Sequence, residues 1–177
     1  MPSPKRSRLP RCYETKAAIA ASPEVVFAHV DDHACLASHM SQSSWKMGGG
    51  KMTIEFDEDH GQAVGSRIRL SGCVLGMNLS VEEVVVERTP PQRKSWETVG
   101  SPKLLVIGHY RMGFDIAPQG EGSLLCVFIE YALPPSGLAR WWGWILSGFY
   151  ARWCVRQMVF DTVKHFEQSN WSRVLET

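Results

Sequence analysis

The sequence predicts an α+β domain in which a curved antiparallel sheet of about six or seven strands wraps around one long C-terminal helix, with two short helices after the first strand. Three observations predict it. A strand-like opening runs into a helix signal at Ser22-Pro23-Glu24. Segments with period-two alternation fill the middle of the chain. A long helical stretch then follows Pro134-Pro135-Ser136-Gly137 and closes it. A sheet bent around a single helix encloses space that side chains need not fill, so the architecture points to a cavity for a small molecule or lipid.

Taken in order, Cys12 to Ala21 reads as the first strand. Ser22 offers an N-cap oxygen, Pro23 suits the first helical position, and Glu24 complements the helix dipole. Asp31-Asp32 ends that helix, and a second spans about His33 to Met40 before the loop Ser41 to Gly50. Met52, Ile54 and Phe56 then share one strand face, and Asp57 to Gly65 is an acidic hairpin loop. Ile68, Leu70, Gly72 and Val74 share the next face. Leu79 and Val81 follow in step, but Val84 and Val86 come one position late, which predicts a bulge near Glu82-Glu83. Pro90-Pro91 closes that strand, and Ser95 to Gly100 is a short one with Trp96 and Thr98 on one face. The clearest alternation runs from Leu104 to Ile116: Tyr110, Met112 and Phe114 lie on its apolar face, His109, Arg111 and Asp115 on the other. After a turn at Gly120 to Gly122, Leu124 to Leu133 is the last strand. The closing helix, about Gly137 to Gln168, carries a stripe through Trp141, Ile145, Gly148, Arg152, Val155, Val159, Val163 and Phe166.

The 177 residues, 44% hydrophobic and 21% charged, suit one globular domain over 12–169, with tails at 1–11 and 170–177. A net charge of +1 argues against a dedicated nucleic-acid binder. Lys5, Arg6, Arg8 and Arg11 nevertheless crowd the Pro-containing first eleven residues, which read as a disordered basic tail. Cys12, Cys35, Cys73, Cys126 and Cys154 are widely spaced, with no C-x-x-C, so neither a disulfide framework nor a zinc site is indicated. No secretory signal opens the chain; the expectation is a reducing, cytoplasmic protein whose thiols are small core residues. The uncharged run Trp141 to Ala151 is too short to span a bilayer.

The stretch Ile19-Ala20-Ala21-Ser22-Pro23-Glu24-Val25-Val26-Phe27 with Asp31-Asp32, Gly65-Ser66 before a strand, Val84 to Pro91 running into Trp96, and the terminal helix together resemble the START/Bet v 1-like superfamily, the SRPBCC-type polyketide cyclase/dehydrase and lipid-transport group. The likeness covers about residues 12 to 168. It implies a helix-grip fold and a hydrophobic ligand held between sheet and helix. Some members of the group are cyclases or hydrolases, others carry lipids or quinones. Met47-Gly48-Gly49-Gly50-Lys51 stands apart from the glycine-rich loop of the plant-allergen branch, and no phosphate site follows from it.

Candidate chemistry is sparse. His29 and His33 are spaced for a shared metal only on an unbroken helix, and Asp31-Asp32 breaks it. Asp57, Glu58, Asp59 and His60 read as a solvated loop tip, and Glu130 as solvent-facing. Strand parity separates Tyr110 from His109 and Arg111, so the three are no joint unit; the Tyr110 hydroxyl can orient a ligand or simply complete an amphipathic core residue. Arg152 can reach a ligand headgroup or extend along its stem to the surface. No metal and no cofactor is indicated, and no nucleophile signature occurs. The ligand-binding candidates are Trp96, Tyr110, Met112, Phe114, Ile145, Gly148 and Arg152, beside the small residue Ala151. The leading function is non-catalytic binding or transport of a hydrophobic small molecule or lipid. A cyclase- or hydrolase-like enzyme is the alternative and requires two or more polar groups converging in the cavity. A third reading is an interaction module that meets a membrane or a protein through Trp141, Trp142 and Trp144.

Overall fold

The structure, a computed structural model, describes residues 9–33, 51–74, 77–104, 106–134 and 138–175, with the side chains of the final helix described over 146–168. Strand β1 (Arg11–Ile19) leads to helix α1 (Pro23–Asp31). Six strands follow: β2 (Lys51–Phe56), β3 (Arg67–Val74), β4 (Met77–Thr89), β5 (Arg93–Lys103), β6 (Tyr110–Gln119) and β7 (Gly122–Tyr131). Helix α2 (Leu138–Leu175) closes the chain, seven residues longer at its end than the periodicity suggests. The expected second short helix, apart from His33, lies outside the described residues, as does the loop after it. The seven strands form one antiparallel sheet in the order β1-β7-β6-β5-β4-β3-β2. The α+β helix-grip architecture read from the sequence is the one observed.

Parity across the ladder sets the inner face. Tyr110 pairs with Tyr131, Met112 with Ile129 and Phe114 with Val127, and all six are buried. Trp96 opposes Met112 from β5 and is equally buried. On the outer side of β6, His109 is exposed and Arg111 is held by Glu87 and Ser95. Against this inner face α2 lays Ser147, Ala151, Cys154, Val155, Met158, Val159, Thr162 and Phe166, all buried. The apolar stripe is therefore turned slightly from the one expected: Arg152 falls outside it and is exposed. A long cation at the stripe's margin gains more from water than from the core.

Four other local expectations are corrected. The alternation from Leu104 to Ile116 is not one strand: β5 runs on to Lys103 and β6 starts at Tyr110. Between them Gly108 donates to Ala132 O, and a Cβ there would stand 2.9 Å from Leu133 O. Val84 and Val86 do not take over the inner face; Val81, Glu83 and Val85 keep it. The register shifts of β4 against β5 fall at Ser80/Glu82, next to the bulge expected near Glu82-Glu83, and again at Val85/Glu87. Ser22 occupies the N-cap position without a side-chain cap bond. Cys12 and Cys73 are exposed, because strand parity puts them on the outer face, and among the described cysteines only Cys154 is buried.

The bulge between Val85 and Glu87 has a structural consequence, since it turns Arg88 inward beside its cross-strand partner Lys94. Both reach Asp31, the last residue of α1. Lys94 Nζ lies 2.8 Å from Asp31 Oδ1 and donates to the Asp31 carbonyl at 2.7 Å, while Arg88 Nη2 meets Oδ2 at 2.8 Å. Lys94 is wholly buried. Burial pushes the Asp31 carboxyl up, but hydrogen bonds from Arg88 and Lys94 outweigh it and leave the group below its ordinary value. Burial also drives the Lys94 ammonium down, against the pull of Asp31.

Removing one member of such a buried set strands the others, at a cost of about 3–5 kcal/mol. Asp31→Asn is expected to lower the urea midpoint by a corresponding amount. Because the folded value of Asp31 is depressed, its contribution is present above the unfolded carboxyl value of about 3.9 and is lost as pH falls through the folded value. Denaturation curves from pH 7 to pH 2 should therefore be flatter at the acid end for Asp31→Asn than for the parent. Equal acid slopes would refute the assignment.

Candidate functional site

The inner face of β4 carries one residue that hydrophobic patterning does not expect. Glu83 sits between Val81 and Val85, opposite Ile68 of β3 and Thr98 of β5, and is 3% exposed. Its cross-strand partner Ile68 is fully buried, so the pleat leaves Glu83 no route to solvent on that side.

Two groups converge on its carboxylate. Tyr110 donates its phenolic hydrogen to Glu83 Oε1 across the intervening strand β5. Thr98 aims the tyrosine: its hydroxyl accepts the Tyr110 N–H at 3.2 Å where the β5–β6 pairing ends. The second group is His33, two residues beyond Asp31. Its Nε2 lies 3.5 Å from Glu83 Oε2, and its ring stands edge-on to Trp96, with 4.5 Å between centroids, and to Phe56. Gly61, at φ +75°, makes this fit. A Cβ on it would come within 3.1 Å of Ile68 and 3.8 Å of His33, in a backbone conformation that side chains disfavour.

Burial and the neighbouring Glu83 carboxylate push the Tyr110 phenol well above its ordinary value, so it stays a neutral donor. From α2, the Cys154 thiol is raised to about 12 by burial, against a hydrogen bond from Tyr150, and is therefore inert as a nucleophile. The cluster is not saturated. Among the described residues, the buried Glu83 Oε2 and His33 Nδ1 have no hydrogen-bond partner. Each such group costs about 1–3 kcal/mol when left unpaired, and more when charged. Chemically, the site presents a buried carboxylate oxygen beside the His33 imidazole, walled by Trp96 and Phe56.

Among the residues expected from sequence, Trp96 and Tyr110 belong to this cluster. Met112 and Phe114 follow on the same face of β6, Phe114 edge-on to Phe27 of α1 at 5.6 Å. Gly148 faces the Tyr131 hydroxyl from α2, a Cβ there standing 3.8 Å away. The Ile145 side chain lies outside the described residues. Arg152 does not join the cluster; its guanidinium lies over the Tyr13 ring of β1 at 5.7 Å. His29 and His33 part company: His29 stacks on His165 of α2 at 4.0 Å. In the acidic loop Glu58, Asp59 and His60 are exposed, whereas Asp57 accepts from Ser66 Oγ and the Arg67 N–H and organises the hairpin. Glu83, His33 and Thr98 were not legible as site residues from strand phase alone. A depression of about 380 Å³ is lined by apolar Leu9 and Val86 together with the polar Glu97, His109, Arg111 and Glu130.

Comparison with protein families matches residues 10–165 to the family described as polyketide cyclase/dehydrase and lipid transport. A sequence comparison with curated proteins returned no match. Solved structures with similar folds include norcoclaurine synthase from Thalictrum flavum in complex with dopamine and hydroxybenzaldehyde, at a TM-score of 0.61 and 13% identity, covering 89% of this chain and 87% of that one. Protein CV1439 from Chromobacterium violaceum aligns at 0.57 and 16%, covering 89% and 99%. The major latex-like protein 151 of Panax ginseng aligns at 0.52 and 13%, covering 88% and 97%. These identities establish a shared fold and nothing finer.

Tyr110→Phe keeps the ring and deletes the donor, leaving Glu83 Oε1 unsatisfied as well. The expected outcome is a loss of about 1–3 kcal/mol in chemical denaturation. A variant within experimental error of the parent would mean that the phenol–carboxylate bond is not formed in solution.

Proposed function

The chain belongs to the polyketide cyclase/dehydrase and lipid-transport family, and on that premise we propose that it binds a hydrophobic small molecule or lipid between the sheet and α2, with Glu83 receiving a hydrogen-bond donor on that molecule. The observation that carries this reading is a carboxylate oxygen, Glu83 Oε2, buried among aromatic rings with His33 Nε2 3.5 Å away and no hydrogen bond among the described residues. A side chain kept in that state is costly unless a partner completes it. Gly148 supports the same reading, because among the described residues a Cβ added there meets only the Tyr131 hydroxyl, at ordinary contact distance. The position is open rather than closely packed. Trp96, Tyr110, Met112 and Phe114 supply the sheet side of the lining, and Ile145 is the helix candidate nearest in sequence. Arg152 can serve a ligand only at the rim, from its place over Tyr13.

The convergence of Glu83, His33 and Tyr110 also favours a second reading, acid–base catalysis on a bound hydrophobic substrate, since it meets the requirement of more than one polar group at one place. The similar fold of norcoclaurine synthase, which holds two small aromatic molecules, is compatible with either. Binding is preferred because the Tyr110 proton is committed to Glu83 and raised far from its ordinary range.

A long-chain alcohol and its methyl ether differ only in the donor that Glu83 would accept. Both are expected to displace an apolar fluorescent probe from the parent, the alcohol more tightly. Glu83→Leu should weaken the alcohol by about 10- to 100-fold and leave the ether almost unchanged. Gly148→Phe should weaken both. If the probe never binds the parent, the cavity reading fails; if alcohol and ether respond alike to Glu83→Leu, only the role of Glu83 fails. Turnover of a bound ligand that disappears in Glu83→Gln would favour the enzyme.

A further inference from the structure

We propose that the solvent-facing stripe of α2 docks the protein on an anionic membrane surface. The face of this helix turned away from the sheet carries large apolar side chains between Leu146 and Phe160, ahead of the exposed Lys164 and Glu167 on the same arc. Phe149 is 73% exposed, Phe160 60% and Leu146 37%. At 100° per residue the three fall within a 60° arc opposite the buried face of Ala151, Val155 and Met158. Phe149 and Phe160 stand eleven residues apart on almost one line, about 16 Å along the axis. Two aromatic rings on a straight line parallel to a helix suit insertion into a flat interface better than into a single protein pocket.

Charge selects the kind of surface. Arg152 and Arg156 flank the stripe, both exposed, and no acidic residue occurs between Leu146 and Phe160. Their stems are braced on β1, where both guanidinium groups lie over the Tyr13 ring and Arg156 Nε donates to its hydroxyl at 3.0 Å. The first acid beyond the stripe, Asp161, accepts from Gln157. Arg11, where β1 begins, donates to Ser147 on the inner side of α2, and Lys5, Arg6 and Arg8 precede it closely in sequence. A two-fold contact between copies across the stripe would oppose arginine to arginine with no acid to match them. Anionic lipid headgroups supply the missing charge, and the acyl boundary takes the rings. The sequence expectation of a membrane or protein contact named Trp141, Trp142 and Trp144, whose side chains lie outside the described residues; the stripe stands without them.

The test is co-sedimentation of the full chain with phosphatidylcholine vesicles, with and without about 30% phosphatidylserine, at low and high salt. The expected result is binding to the serine-containing vesicles that weakens as salt rises. Phe149→Ser with Phe160→Ser should reduce partitioning by about tenfold or more, and Arg152→Gln with Arg156→Gln by about fivefold per arginine. Because Phe149 and Phe160 are exposed, circular dichroism of their double variant should match the parent. A parent that ignores both vesicles overturns the proposal, as does binding that survives the phenylalanine substitutions. Concentration-dependent self-association abolished by those substitutions, without vesicle binding, assigns the stripe to a second copy instead.

Discussion

The polar chemistry of the concave side depends on the carboxylate of Asp31. A lysine with no solvent exposure is tolerated only where its charge is met, and Asp31 meets Lys94 through both a carboxylate oxygen and its own carbonyl. Arg88 completes the set only because a β-bulge turns it inward, and its guanidinium also covers the Phe27 ring. This arrangement pins the end of α1 to β4 and β5. His33 follows after a single intervening residue, and its place over Trp96 and beside Glu83 is inherited from that anchor. The sheet's irregularity, the helix end and the candidate site are thus one mechanical chain.

Two buried carboxylates, Asp31 at the end of α1 and Glu83 on β4, therefore have opposite solutions. Asp31 has a cation or donor for each oxygen and lies below its ordinary value. Glu83 has one oxygen held by a neutral phenol and the other 3.5 Å from His33 Nε2, without a hydrogen bond among the described residues. Packing explains the first completely. It does not explain the second, because an apolar residue opposite Ile68 would fill the same position without a desolvation penalty. That contrast, rather than burial alone, is what marks Glu83 as the candidate site.

The fold was legible because its signals are local and redundant: the Ser22-Pro23-Glu24 helix start, the alternation of Tyr110, Met112 and Phe114, and the closing helix each stand on several residues. Glu83 was illegible for the converse reason. In Val81-Glu82-Glu83-Val84-Val85-Val86 either parity places valines on the inner face, and a phase slip that hides both acids costs less than one that buries an acid. The information was nevertheless present one strand away. Val74 pairs with Met77, so the tight β3–β4 hairpin carries the inward phase of Ile68 and Leu70 directly onto Glu83 and Val81. His33 could not be found this way, since its position follows from a tertiary ion pair whose partners, Arg88 and Lys94, lie more than fifty residues away. The break between β5 and β6 was hidden because Leu104 to Tyr110 alternates without pairing as a strand throughout.

Helix α2 has to satisfy two surroundings with one sequence. Its inner face is small and apolar near Gly148 and Ala151, which lets the helix approach the sheet without filling the space beside Tyr131. Its outer face holds large rings in water with no packing partner among the described residues, Phe149 above all. Neither property helps a helix that serves only to cover a sheet, for which bulky residues inside and charged residues outside would be more stable. The two faces are joined through β1, since Tyr13 packs against the core on one side and carries Arg152 and Arg156 on the other. A displacement of the arginines by a charged surface would therefore be felt at the strand that borders β7 and Tyr131. Binding inside and docking outside can be coupled energetically only to the extent that Tyr13 has two arrangements, each favoured by one of the two events.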